Sequence, residues 1–143
     1  MSTGAGLVVL GGRVLIAVFY GFFAGLGHLR RSARYEQAAT SSGFPIPRLA
    51  GWPTGVWLIA GSISVALGIW ADVGAVMFAV FLIPAAWYLH PFWKIEDPAA
   101  RRTQESAFYR NVMMLGASLV MVGTFAALGA SLRFTITPPL FAF

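Results

Sequence analysis

The sequence predicts an all-α integral membrane protein, a bundle of four transmembrane helices. Three observations carry this. The chain has only fifteen charged residues in 143, and twelve of them fall in two segments, Arg30 to Arg48 and Lys94 to Arg110. Between the charges lie uncharged stretches at 14–29, 49–71, 73–93 and 111–132, the first extended upstream by the residues before Arg13. A hydrocarbon core about 30 Å thick needs roughly 20 helical residues at about 1.5 Å each, so each stretch has close to the length of one crossing. Composition agrees: 58% hydrophobic and 10% charged, with mean hydropathy +0.74, where a soluble domain carries about 25% charged residues.

The elements follow in order within one domain, 1–143. The first helix is expected at about 7–29, with no basic residue before Gly12, so it reads as a retained helix and not a cleaved signal. A polar loop follows at 30–51, in which Arg34–Ala39 suits a short helix and Pro45 and Pro47 forbid one. The second helix is expected at 52–71, a tight turn at Asp72–Gly74, and the third helix at 74–90, interrupted by Pro84. A second polar loop at 92–106 leads to the fourth helix at 107–131 and a tail that lies at the interface. Small residues every four positions mark helix contacts: Ala17, Gly21 and Gly25; Ala60, Ser64 and Gly68; Gly123 and Ala127.

The two loops are separated by two crossings and so share one side. Arg30, Arg31, Arg34, Arg48, Lys94, Arg101 and Arg102 lie there, with Arg110 just inside the last helix; Arg13 and Arg133 are on the other. Basic residues favour the cytoplasm, so the loops are expected inside and both termini outside. The same residues are candidates for contacts with anionic lipid or partner proteins. No basic stripe or polar domain suits nucleic acid. The absence of cysteine removes disulfide, persulfide and thiolate-metal chemistry, so a redox role needs a bound cofactor, a quinone or a partner subunit.

Six residues are candidates for an internal ligand site: Arg13, Tyr20, His28, His90, Trp93 and Asn111. Arg13, Ala17, Tyr20, Ala24 and His28 share one face at about 100° per residue. That face reads either as a polar seam for an anionic or quinone-like headgroup or as packing, with Arg13 snorkelling outward. His28 and His90 end the first and third helices at the charged face. Two histidines are the minimum for bis-imidazole haem, and a neutral imidazole titrates near pH 6.5, which suits exchange of a proton with a quinol-like ligand. His90–Pro91–Phe92–Trp93 offers a ring donor beside a stacking surface or, equally, an interfacial belt. Asn111 and Ser118, seven apart, face the bundle together. No metal site is expected.

Gly12–Arg13, Phe23–Ala24–Gly25–Leu26–Gly27–His28–Leu29, the Gly43–Phe44–Pro45–Ile46–Pro47 loop, Ala60–Gly61, Leu67–Gly68, His90–Pro91–Phe92–Trp93 and Phe108–Tyr109–Arg110–Asn111–Val112 occur in an order and spacing that resembles the DoxX family over about residues 10–125. The resemblance implies a four-helix bacterial inner-membrane protein related to a subunit of thiosulfate–quinone oxidoreductase. Some family members assemble with superoxide dismutase and a sulfurtransferase. It therefore implies a subunit of a membrane redox complex that anchors partners and contacts quinone. A non-catalytic scaffold, a haem-binding bundle and a small-solute or lipid carrier are the alternatives, the last requiring a continuous polar cavity along the Arg13–His28 face. The chain departs from the family at His28, where members often have Lys, and at Leu58, where many carry an acid that would face Arg13.

Overall fold

The computed structural model describes residues 1–141. Its elements are helical: α1 (Thr3–Arg30), α2 (Ser32–Ser41), α3 (Trp52–Leu67), α4 (Ala71–Leu89) and α5 (Pro98–Leu128), with short 3₁₀ turns at Pro47–Ala50, Phe92–Lys94 and Gly129–Ser131. α1, α4 and α5 are long and apolar enough to cross a membrane, while α3 is a shorter apolar helix.

α1 opens on Ser2, whose hydroxyl caps the Ala5 N–H at 3.2 Å. It does not stay α-helical. Phe19–Gly25 winds as a π-helix, a wider turn that shifts every later residue around the axis. The buried residues of α1 are Gly6, Arg13, Ala17, Tyr20, Gly25 and His28. The step of five from Tyr20 to Gly25 is the π turn; it buries Gly25, as the Ala17–Gly21–Gly25 stripe expects, and leaves Ala24 of the Arg13–His28 face half-buried.

α3 lies between α1 and α4, and glycines set both distances. A Cβ on Gly55 would stand 2.8 Å from the Gly25 carbonyl oxygen, and one on Gly74 would stand 2.7 Å from that of Gly61. Backbones meet directly at both places. The expected stripes are thereby corrected in two helices. Ala60 is exposed, the buried face of α3 being Gly55, Leu58, Gly61, Ser62 and Val65. Gly123 and Ala127 are exposed too, with nothing within 4 Å of a Cβ at Gly123. Spacing identifies a small stripe but not the rotation that aims it.

Helix ends also differ from the expected bounds. α3 stops at Leu67, before 71, because Gly68 takes the left-handed conformation (φ 67°) that ends a helix. α4 begins at Ala71 and runs through Pro84 to Leu89. α5 begins at Pro98, well before 107: the Asp97 carboxylate caps the Ala100 N–H at 2.7 Å and Pro98 takes the first turn. Residues 98–106 are therefore a polar helical extension of the last span, where charge alone suggested a loop. In the first loop the expected short helix is α2, and Gly43 (φ 78°) follows it.

The tail does more than lie along an interface. It folds back over the α3–α4 turn: the Ile136 and Thr137 N–H groups donate to the Gly68 carbonyl at 3.1 and 3.0 Å, and the Trp70 N–H donates to the Thr137 hydroxyl at 2.9 Å. Asp72, expected in a solvated turn, is fully buried and accepts from the Phe141 N–H at 2.6 Å. The last two residues of the sequence lie outside the described residues. A Cβ on Gly68 would meet an Arg13 guanidinium nitrogen at 2.5 Å and Thr135 at 2.6 Å, at a φ that L residues rarely adopt. Gly68→Ala is expected to destabilise the protein by about 1–3 kcal/mol, read as a lower midpoint of thermal unfolding in detergent.

Candidate functional site

The six candidate residues do not form one site. They separate along the height of the bundle.

Arg13, at one end, is 1% exposed. Its Nε donates to the Val65 carbonyl at 2.7 Å, Nη2 to Ala66 at 3.0 Å, and Nη1 to Phe134 at 3.0 Å and Arg133 at 3.3 Å. Val65 and Ala66 are in the last turn of α3, whose carbonyls lack helical donors and carry the negative end of the helix dipole. Arg13 is therefore a C-cap for α3 and a latch for the tail. Its partners are backbone carbonyls, and Leu58 is buried in the apolar core.

Tyr20 is 2% exposed and its ring stacks on Phe78, with centroids 3.9 Å apart. Its hydroxyl lies beside Ser118 without completing a hydrogen bond of good geometry. Phe78 sits near the middle of α4, so this group is at mid-height.

His28, at the other end, is 4% exposed. Its Nδ1 lies 2.6 Å from the Ala50 carbonyl oxygen. A carbonyl only accepts, so Nδ1 carries the proton and Nε2 of the neutral ring presents a lone pair. Tyr35 of α2 stacks on the imidazole at 3.8 Å, and Phe81 meets it edge-on at 5.9 Å. The first connector is thereby folded as a roof, pinned again by Phe44 against Tyr88 at 5.2 Å. Beneath it His28 lines a chamber of about 60 Å³ with Ala50, Ala85 and Leu89. The chamber shares Phe44, Leu49, Thr54, Phe81 and Pro84 with an outer groove of about 350 Å³ that reaches Trp57 and Val80 between α3 and α4.

His90 is half-buried and pairs through Nδ1 with the Gln104 side chain at 2.8 Å. It does not line the His28 chamber, so the two rings do not face one pocket as a bis-imidazole haem requires. Trp93 belongs to a ring cluster with Trp87, Phe92 and Phe108, at 5.1–5.6 Å. Asn111 is half-buried, two turns along α5 from Ser118. The continuous polar cavity that a carrier needs along the Arg13–His28 face does not form: Arg13, Tyr20 and His28 are each enclosed by different neighbours. Among the described residues no group of three or more His, Asp or Glu side chains is placed to hold a metal ion.

Arg30, Arg31, Arg34, Arg48, Lys94, Arg101 and Arg102 are all exposed, and the contact of Phe44 with Tyr88 brings their two segments to the same end. The DoxX family model matches residues 8–91, more than half of the chain. The chain belongs to the DoxX family. No curated protein and no solved structure matched it. The matched DoxX region runs from α1 to just past His90, so it contains Arg13 with its Val65 and Ala66 acceptors and the roofed groove, but neither α5 nor the tail that completes the latch.

The sequence did not single out Tyr35 as the residue that covers His28. Tyr35, seven residues on, was the available signal, an aromatic on the one amphipathic turn of the connector.

Proposed function

We propose that this DoxX protein crosses the bilayer four times as a subunit of a bacterial inner-membrane redox complex, its basic face in the cytoplasm, and takes a quinol-type headgroup into the groove that ends at His28. α3 supports four crossings: it runs from beside Ser32, whose hydroxyl accepts from the Trp52 N–H at 2.8 Å, to the Arg13 guanidinium. Its 16 residues cover about 24 Å, the depth between Arg13 and Arg30 on α1. The exposed arginines and Lys94 at the roofed end suit anionic lipid and acidic partner surfaces, and two such loops against Arg13 and Arg133 favour a cytoplasmic roof.

The observation that carries the ligand reading is the bond from His28 Nδ1 to Ala50. It makes Nε2 an acceptor at the blind end of an apolar groove that opens between α3 and α4, where a lipid-soluble molecule arrives from the bilayer. An acceptor selects a hydroxyl, so the reduced dihydroxy form binds there in preference to the dione. The chamber is smaller than a six-membered ring requires, so the Phe44–Ala50 roof lifts on binding.

The test is a titration of the protein in nanodiscs with a short-chain benzoquinol. His28→Ala is expected to weaken binding about tenfold, the equivalent of one good hydrogen bond, while His90→Ala leaves it unchanged. Equal affinity in wild type and His28→Ala would sink the site.

A further inference from the structure

α5 packs along α4 but scarcely touches α1. The space between the first and last long helices is a cleft of about 210 Å³, walled by Leu15, Phe19, Met114 and Met121, with Tyr20 and Ser118 at its base. Leu15 and Phe19 are exposed, so the cleft opens on the lipid-facing surface. It is remote from the His28 groove, with which it shares no lining residue.

The base of the cleft is chemically specific. Tyr20 is held rigidly, its ring on Phe78 and its backbone in the π-helical segment, and wide turns of this kind recur at functional sites. Its hydroxyl is buried and without a completed hydrogen bond. Ser118 donates its own proton to the Met114 carbonyl at 2.9 Å. The Ser118 oxygen keeps its lone pairs and lies beside the phenol, but no bond of good geometry is completed, so the group on offer is a phenolic O–H that its best-placed neighbour does not fully satisfy, in apolar surroundings where an unmade hydrogen bond is costly. Its depth narrows the choice. Tyr20 lies between Arg13 and His28, about 10 Å along the helix from each, well inside the apolar span and deeper than phospholipid ester carbonyls sit. An acyl tail reaches it but brings no acceptor.

We infer that the α1–α5 cleft is a binding site for a lipid-soluble molecule whose apolar body carries a ketone-type carbonyl, which accepts the Tyr20 hydroxyl. Ser118 supplies the small wall that admits the carbonyl, and Met114 and Met121 shape themselves to the body as flexible side chains do. Its preference is opposite to that of the His28 groove: a donor at Tyr20 selects a carbonyl, an acceptor at His28 a hydroxyl. The inference does not depend on the groove, since each rests on its own side chain.

The test uses an alkyl-chain benzophenone, whose carbonyl is both the acceptor and the photoreactive group. The protein in nanodiscs is irradiated with the probe and the crosslinked peptides are identified by mass. Crosslinks are expected on Met114 or Met121, suppressed by a long-chain ketone and not by the matched alkane. Tyr20→Phe should reduce their yield about tenfold at limiting probe, with an unchanged unfolding midpoint, and Ser118→Leu, which fills the cleft, should remove them. An unchanged yield in Tyr20→Phe, or suppression by the alkane equal to that by the ketone, overturns the inference. A lowered unfolding midpoint in Tyr20→Phe with an unchanged yield also overturns it, and assigns the hydroxyl to a structural bond with Ser118. Crosslinks confined to Phe44–Trp57 would place the ketone in the groove and leave the cleft without a ligand.

Discussion

Arg13→Leu is expected to lower stability by about 3–5 kcal/mol, a drop of roughly 10 °C in the unfolding midpoint in detergent. The substitution removes four donated bonds at once and leaves the carbonyls of Val65, Ala66, Arg133 and Phe134 in an apolar setting. Leucine also cannot fill the volume of a guanidinium that is 1% exposed. Arg13→Lys separates charge from shape. A single ammonium keeps the charge but cannot fork toward two segments, so it should recover only part of the loss and leave the tail more open to protease. A midpoint within a degree of wild type for Arg13→Leu would show that the carbonyl cluster contributes nothing.

Gly55→Val should be the next most damaging change. The first carbon of the new side chain meets the Gly25 carbonyl and the Leu29 side chain at 2.8 Å, and backbone cannot step aside as a flexible side chain does. α1 and α3 must separate, at a cost of about 2–3 kcal/mol or more. The displacement also moves Leu29 and its neighbour His28, so quinol affinity should fall together with stability. Gly123→Val is the control: with nothing within 4 Å of its Cβ, it should stay within about 0.5 kcal/mol of wild type. Equal midpoints for Gly55→Val and wild type would contradict the close approach.

The apolar helices were legible in the sequence because bilayer thickness acts directly on apolar length, and three of them are long enough to cross a membrane. The uncharged stretches correspond to α1, α3, α4 and the apolar part of α5. The polar start of α5 was not legible from the same signal, since residues 98–106 are helical but charged and polar, where apolarity says nothing and the Asp97 cap decides. The shared face offered burial of Arg13, Tyr20 and His28 as one of two readings, and the 1% exposure of Arg13 corrects the other, in which it snorkels outward. Their neighbours were not legible, for three physical reasons. Arg13 is held by backbone carbonyls, which leave no mark in a sequence. Tyr20 lies in a π turn, which breaks the 100° periodicity used to place it. His28 is roofed by Tyr35 and Ala50, whose position depends on how a proline-rich connector folds.

The Arg13 latch also sets an order of assembly. The arginine enters the membrane with α1, and its acceptors follow only later, Val65 and Ala66 with α3 and Arg133 and Phe134 with the tail. Until then it burdens an isolated apolar helix by about 2.5–3.5 kcal/mol if held at mid-bilayer, less where it reaches the interface. Residues made some 120 positions later thus complete the hydrogen bonds of an arginine in α1. Early insertion of this protein is provisional, and the finished bundle is recognisable by a tail that no longer yields to protease.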